Sequence, residues 1–497
     1  MEAQRPLRDS YYFRSSDFSR CGKEGINKLD VNELAFILSR LTIKDAAAAR
    51  LVSPQWARAF YMYFSRISML NFKWNEALLY FCNKPLKSRH RESHNYVDWV
   101  NNVLEKHDGG KIKQFSVCFD LDCRFTSSID RWIQFAMERE VEELELEFLL
   151  TQGHKFQDSY IFPHQLLGIS HLSGPGCHNT YPPRWEACED CITSASSFCR
   201  PHLDLPTGGG FKCLKVLHLE NVDVDGQVVE YFLSNCRALE GLSITGAIHL
   251  LTLTVAAPSA PSLRYLVVKN CLRVTSITIC NSHLCSFIYK GMSMHLQLDN
   301  VPSLVEVCLH QADSKTSDFA ALAFDQLSSH LFQLHTLMLD VQFNAPLYLS
   351  AFACAVPKLP NLQHLDLVIL ADDLWSLRRL AAFLRASPHL KKLVLQLQFY
   401  PIKGELYNDV QCPHDHLRVV EIVGYRVSKK ATQHLMFLIE NAAALEKVVI
   451  DPACRWLHHR TGAYRSFIEV KEEGEARDHA MLQLKEIIPP TVEFVCL

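Results

Sequence analysis

A short pattern of apolar and polar positions, apolar-x-x-apolar-x-apolar, returns along the chain. It begins at Ile112, Val141, Leu214, Leu239, Leu263, Leu284, Leu304, Leu334, Leu362, Leu390, Leu417 and Leu445. From Leu214 onward the starts lie 25, 24, 21, 20, 30, 28, 28, 27 and 28 residues apart. The last two apolar positions of each unit are two residues apart, so in a strand they share one face. A lone unit cannot cover that face. Neighbouring units must therefore stack side by side and build one continuous core. Burying each Leu or Ile contributes roughly 1.5–3 kcal/mol before conformational entropy is subtracted, so the array is stable only collectively.

Periods of 20 to 30 residues with one strand per unit are those of leucine-rich repeats. Unit length predicts the outer layer. Between Leu334 and Leu445 each unit has room for a helix. Residues 374–387 place Leu374, Leu377, Leu380 and Leu384 on one helical face, and residues 431–442 do the same with Leu435, Leu438 and Ile439. In the shorter middle units a second apolar pattern intervenes, Ile248-x-x-Leu251-x-Leu253 and Val274-x-x-Ile277-x-Ile279. Intervals near ten residues leave no room for a helix, which predicts a second strand on the convex side.

Residues 27–70 follow a different rhythm. Leu34, Ile37, Leu38 and Leu41 fall at i, i+3, i+4 and i+7, the stripe of an amphipathic helix. A second helix follows, with Asp45 as its expected N-cap. Ser53-Pro54 then predicts a third, with a capping residue followed by Pro at the first helical position. Trp56, Phe60 and Phe64 share one face of it. Residues 1–26 read as a flexible tail.

Composition narrows the functional classes. In 497 residues, 48% are hydrophobic, and 51 Lys and Arg stand against 54 Asp and Glu for a net charge of −3. Such a chain is globular and has no overall attraction for nucleic acid or an anionic membrane. No uninterrupted apolar run of about 18 residues predicts a membrane span. The opening segment lacks the apolar core of a signal peptide, and the 18 cysteines are scattered through apolar segments. Together these point to a reducing cytoplasmic or nuclear compartment with free thiols. There is no P-loop, dinucleotide fingerprint, nucleophile elbow or His-Glu-x-x-His. Gly208-Gly209-Gly210 precedes a strand and reads as a loop. Cys188, Cys191, Cys199 and His202 have zinc-like spacing, but the same stretch reads better as a degenerate repeat with Ile192, Ala195 and Cys199 inward. No catalytic residue, metal site or cofactor is expected.

The helical unit carries a resemblance. The run Leu29, Asp30, Glu33-Leu34, Ile37-Leu38-Ser39, Leu41, Asp45-Ala46, Val52-Ser53 and Trp56 resembles an F-box, with Asp30 where Pro is usual and Pro54-Gln55 in place of a basic pair. Residues 416–452 resemble the FBD region that closes many plant F-box/leucine-rich-repeat proteins, residues 475–497 resemble that family's C-terminus, and residues 130–148 its early segment. The resemblance implies an α/β chain: an F-box of three helices over 27–75, then a curved leucine-rich-repeat solenoid with a parallel concave sheet over 95–350, continued by the FBD region over 355–497. It also implies a non-catalytic substrate-recognition subunit of a cullin-based ubiquitin ligase. There Leu29, Leu34, Ile37, Leu38, Leu41, Val52 and Trp56 would engage a Skp-type adaptor, and the repeats would hold an unknown protein target. A repeat scaffold whose F-box has decayed and recruits no ligase is the alternative.

Overall fold

The computed structural model describes residues 29–38, 40–41, 43–64, 67–74, 85–149, 159–169, 210–256, 259–311, 319–340, 356–370, 376–399, 410–453 and 467–497. The chain divides into two units, Met1–Ser68 with Lys106–Gly110, and Met69–Glu105 with Lys111–Leu497. The first holds helices α1 (Val31–Leu38), α2 (Ile43–Ala49) and α3 (Pro54–Phe64). Both α1 and α2 pack on α3, around a small core of Leu34, Leu38, Ala46, Trp56, Ala59 and Phe60. The side chain of Phe64 lies outside the described set.

The second unit is built on a 14-stranded parallel sheet. Its strands are β1 (Met69–Lys73), β2 (Gln114–Phe119), β3 (Glu143–Phe148), β5 (Val216–Glu220), β7 (Gly241–Thr245), β9 (Tyr265–Lys269), β11 (Ser286–Gly291), β13 (Glu306–Gln311), β14 (Thr336–Asp340), β15 (His364–Leu370), β16 (Lys392–Gln398), β17 (Val419–Val423), β18 (Lys447–Asp451) and β19 (Glu493–Cys496). Spatial order follows chain order throughout. A parallel strand added always on the same side, through crossovers of one hand, places every connection on one face. Among the described residues the other face carries no crossover helix, and side chains on it are buried locally, at Ser116, Cys118, His310 and Asp340. Burial alternates accordingly in β3, β5, β7 and β9, with every second side chain inward.

Seven described crossover helices cover the connected side: α4 (Leu86–Glu105), α5 (Thr126–Glu138), α6 (Gly226–Asn235), α7 (Phe319–Leu327), α8 (Ser376–Ala386), α9 (Lys429–Asn441) and α10 (Phe467–His479). A π-turn over Ala480–Leu484 joins α10 to α11 (Lys485–Ile487). In α8, Leu377, Leu380 and Leu384 are buried as the spacing predicts, and in α9 Leu435 and Leu438 are buried; Leu374 lies outside the described residues. In the short central units the second strand is present as a three-stranded parallel sheet of β8 (Thr252–Ala256), β10 (Ser276–Cys280) and β12 (His295–Asp299). Val274, Ile277 and Ile279 point inward as read, but around β8 the inward set is Leu250, Leu253 and Val255, with Leu251 exposed. The edges of this sheet are not bare: α6 packs beside β8, and α7 beside β12. A further short ladder pairs β4 (Tyr160–Ile161) with β6 (Val222–Asp223).

Tight units need tight exits. Asn221, Asn270, Asn281 and Asn300 each follow a strand directly and carry φ between 49° and 55°. Among non-glycine residues, Asn enters this left-handed region most readily, because its short polar side chain can hydrogen-bond locally. Asn221 Nδ2 donates to the Phe148 carbonyl at 2.6 Å, and Asn300 Nδ2 to Asn281 Oδ1 at 2.9 Å. Neighbouring turns are thereby tied to one another.

One boundary is corrected. The sheet begins at Met69, inside the stretch 27–75 assigned to the helical unit and well before residue 95, since β1 pairs in register with β2 from Met69↔Gln114 to Lys73↔Cys118. Ile67-x-x-Leu70-x-Phe72 already fits the repeat pattern, and Leu70 and Phe72 are fully buried. Asp45 is the second correction. Helix α2 starts at Ile43, so Asp45 stands in its first turn rather than at the N-cap position, where a carboxylate favours the helix dipole. Among the described residues no helix is long and apolar enough to cross a membrane.

Leu365 is fully buried in β15 and pairs in register with Leu337 and Leu393. Leu365→Asp places an unpaired carboxylate in that stack and is expected to destabilise the array by several kcal/mol. Chemical denaturation with limited proteolysis checks this; wild-type resistance would contradict the register described.

Candidate interaction surfaces

The first surface belongs to the helical unit. Asp30 caps α1: its Oδ1 accepts from Asn32 N at 2.7 Å and Glu33 N at 2.8 Å, while Asp30 N donates back to Glu33 Oε2 at 2.8 Å. This is a reciprocal capping box. The residue that departs from the F-box pattern thus satisfies the helix start by another route. Ser53 caps α3 through its Oγ, which accepts from Trp56 N at 3.3 Å, with Pro54 in the first helical position. Gln55, the other departure, donates from Nε2 to the Leu29 carbonyl at 2.7 Å and ties α3 to the chain entering α1.

The predicted contact set divides. Leu34, Leu38 and Trp56 are buried in the unit's own core, and Leu29 is half-buried. Ile37, Leu41 and Val52 are exposed, Val52 at 66%, and so are Phe36, Leu51 at 81% and Tyr61. A helix stripe normally serves its own core; here one edge of it is left over.

The second surface is the open face of the sheet. At its N-terminal end, Lys73 Nζ reaches Glu145 Oε2 at 3.0 Å and Glu147 Oε1 at 2.7 Å, and Ser116 Oγ donates to Glu145 at 2.6 Å. Burial opposes the charge of Glu145, but the bonds from Ser116 and Lys73 outweigh it and hold the carboxyl below its usual range. Further along, Cys308, His310 and Asp340 stand on neighbouring open-face positions, with His310 Nδ1 3.1 Å from Asp340 Oδ2. A thiol beside a His–Asp pair suggests nucleophilic chemistry, but burial, with Asp366 nearby, pushes Cys308 up to about 12. The protonated thiol lies 3.2 Å from Met338 Sδ. It is packed, not activated.

Among the described residues no group of three or more His, Cys, Asp or Glu could hold a metal ion. Cys188, Cys191, Cys199 and His202, like Gly208 and Gly209, lie outside the described residues. A cleft of about 550 Å³ is lined by Val427, Lys429, Met436, Phe437 and His479 among others. It is an open cleft, without the enclosure of a small-molecule site.

The sequence profile described as "At1g61320/AtMIF1, LRR domain" matches residues 103–495. The chain belongs to this leucine-rich-repeat family. It is similar to the F-box/LRR-repeat protein At5g38396 of Arabidopsis thaliana, 23% identical over 494 residues that cover 93% of this chain and 94% of the relative. The FBD-associated F-box protein At5g22730 of the same plant is 23% identical over 482 residues, 89% of this chain and 90% of its own. The F-box/FBD/LRR-repeat protein At1g13570, also of Arabidopsis thaliana, is 27% identical over 248 residues, 48% of each chain. These names carry the F-box, FBD and repeat features read from the sequence.

Burial separates two substitutions on one helix. Leu34→Asp is expected to unfold the helical unit, losing about 3 kcal/mol or more, while Ile37→Asp costs under about 1 kcal/mol because its side chain reaches water. Circular dichroism melts of the two variants check the order. A second outcome concerns the thiols. Burial pushes Cys236, Cys271 and Cys308 up to about 12, so at pH 8 their thiolate fraction is on the order of one in ten thousand. Among the described cysteines, iodoacetamide should modify exposed Cys123 before these three and before the equally buried Cys118, as read by peptide mass spectrometry.

Proposed function

We infer that the protein is the substrate-recognition subunit of a cullin-based ubiquitin ligase, its three-helix unit acting as an F-box that docks on a Skp-type adaptor. The observation that carries the reading is the division of the apolar stripe. Leu34, Leu38 and Trp56 hold the unit together, which leaves Ile37, Leu41 and Val52 on its rim with 37%, 40% and 66% of their surface in water. Asp30 and Gln55 keep that presentation intact by capping and tethering the helices. The F-box names of the relatives support the same assignment. The open sheet face then carries the protein target, and the subunit itself needs no catalytic group, because the transfer chemistry belongs to its partners. Function in the cytoplasm, the nucleus or both follows from this role.

Co-expression with a Skp-type adaptor tests it. Full-length chain should capture the adaptor, and deletion of residues 29–64 should abolish capture while leaving the sheet folded, since its first strand starts at Met69. Ile37→Asp should weaken capture at least about tenfold with helicity unchanged. No capture by wild type at micromolar concentration would replace the ligase reading with that of a repeat scaffold.

A further inference from the structure

Among the described residues the order of the long sheet ends with β19, whose one neighbour is β18. In a parallel pair a residue turns both its backbone groups to the same neighbour, and its successor turns them away. Glu493 N donates to the Glu446 carbonyl and Leu497 N to the Ile450 carbonyl, so Glu493, Val495 and Leu497 face β18. The N–H and carbonyl of Phe494 and Cys496 point the other way, where no described residue receives them. The inward row is unfinished there too. Phe494 and Cys496 are half-buried, while their register partners Val448 and Ile450 are fully buried. An edge position alone does not cause this, since Leu70 and Phe72 of β1, at the other edge of the sheet, are 0% and 1% exposed. Sheet edges are commonly blunted by Lys or Pro, and β19 has neither.

The helix layer ends in the same character. Glu472 and His479 lie on the flank of α10 that reaches back to the preceding unit, through Arg426 and the Tyr425 hydroxyl. Helical spacing puts Val470, Gly474, Arg477 and Met481 on the opposite flank, and Arg477 Nε donates to the Leu497 carbonyl at 2.9 Å. Val470 is 52% and Met481 47% exposed, and a Cβ on Gly474 would meet nothing within 4 Å. The charged residues around this end balance in sign, Lys471, Arg477 and Lys485 against Asp478, Glu486 and Glu493. Glu493 is also bound to Lys447 at 2.8 Å. Two such ends therefore carry no net charge with which to repel one another.

We propose that β19 pairs antiparallel with β19 of a second copy of this chain, about a two-fold axis through Val495. Phe494 then stands opposite the partner's Cys496 and exchanges both backbone bonds with it, and the symmetric pair does the same. This register uses every outward-pointing backbone group of the strand, and each half-buried inward side chain is covered by one from the other copy. It also sets Glu493 opposite the partner's Leu497 rather than opposite a like charge. The contact is isologous, so it closes at two copies. A head-to-tail continuation onto β1 would gain less, because the inward row of β1 is already buried. The interface is one strand and one helix wide, small beside the roughly 800 Å² per partner of a standard complex, so dimers are expected at micromolar concentration. The proposal is independent of the receptor reading above.

Sedimentation velocity on the full-length chain tests this between about 1 and 100 μM. Wild type should pass from monomer to dimer over that range. Val495→Lys and Val495→Glu each bring like charges face to face on the axis, and each alone should weaken the dimer at least about tenfold, while an equimolar mixture of the two should restore it. Position 495 is half-buried, so both variants should melt as wild type does. Cross-linking reads the register. Directly opposed residues at such a position have Cα atoms about 4.5 Å apart, within disulfide reach, so Val495→Cys should give a covalent dimer on mild oxidation. Leu497→Cys, about 14 Å from its copy along the strands, should give no more than wild type. A monomer at about 100 μM would leave the edge to a strand of another protein and overturn the proposal. So would a dimer indifferent to both charges, a mixture that stays monomeric, equal cross-linking at 495 and 497, or chains that grow beyond two copies.

Discussion

Every strand of the sheet presents a backbone that must be paired and an apolar side that must be covered, and only its neighbour supplies both. The hydrogen bonds of β15 go to β14 and β16, and its Leu365 and Leu367 sit between Leu337 and Leu339 on one side and Leu393 and Leu395 on the other. No unit has a private core. Crossover length, outer-layer type and turn chemistry all follow from keeping this stack in register. Where a unit is short, a strand replaces a helix outside, as in β8, β10 and β12; where it is long, a helix such as α8 or α9 covers the row. Residues at the exits then have to turn within one or two positions, which is why Asn recurs there with positive φ.

Buried polar groups in the outer layer are satisfied in ways that reinforce this order. Tyr96 on α4 donates to the Phe72 carbonyl of β1 at 2.6 Å and stacks on Phe119 of β2 with centroids 4.0 Å apart. Trp132 on α5 donates from Nε1 to Asn101 of α4 at 2.8 Å. His434 on α9 bridges the Lys430 carbonyl at 2.7 Å and Ser376 of α8 at 2.8 Å. Because the carbonyl only accepts, Nδ1 carries the proton and Nε2 accepts from the serine, so a neutral ring suffices. The Trp132–Asn101 and His434–Ser376 bonds and the Tyr96–Phe119 stack each join one unit to the next, and none of these could form in an isolated repeat.

Much of this was legible in the sequence, for a physical reason. The stacked row tolerates only Leu, Ile, Val and their like, so its period survives in the chain from Ile112 to Val448. The first strand was legible too, since Ile67-x-x-Leu70-x-Phe72 repeats the pattern; it escaped because a helical rhythm runs up to Phe64 and the two segments look continuous. The last strand is harder to see. Pairing with β18 sets Phe494 and Cys496 opposite Val448 and Ile450, so Thr491 stands where the pattern has the aliphatic Leu445. Around Leu250 and Leu251 two leucines compete for one inward position, and periodicity alone cannot choose. On α1 the same limit applies: spacing identifies the stripe of Leu34, Ile37, Leu38 and Leu41, but which half faces α3 is decided by packing.

The open face escapes sequence reading for a related reason. Its character lies across strands about 20 to 30 residues apart in the chain, so Val267, Ile288, Cys308 and Met338 become one row only once register is known. Selection for stability alone acts on the inward positions and leaves the outward ones free to be polar, as they are at Ser116, Ser243 and Asp366. Apolar residues nonetheless recur in that central row, at Val267, Ile288, Cys308 and Met338 and again at Val394, Val449 and Val495, where exposure works against solubility. A repeat protein can carry such a patch because its fold is held by the other face. The interior supplies the stability, and the surface is left to differ from one member of the architecture to another.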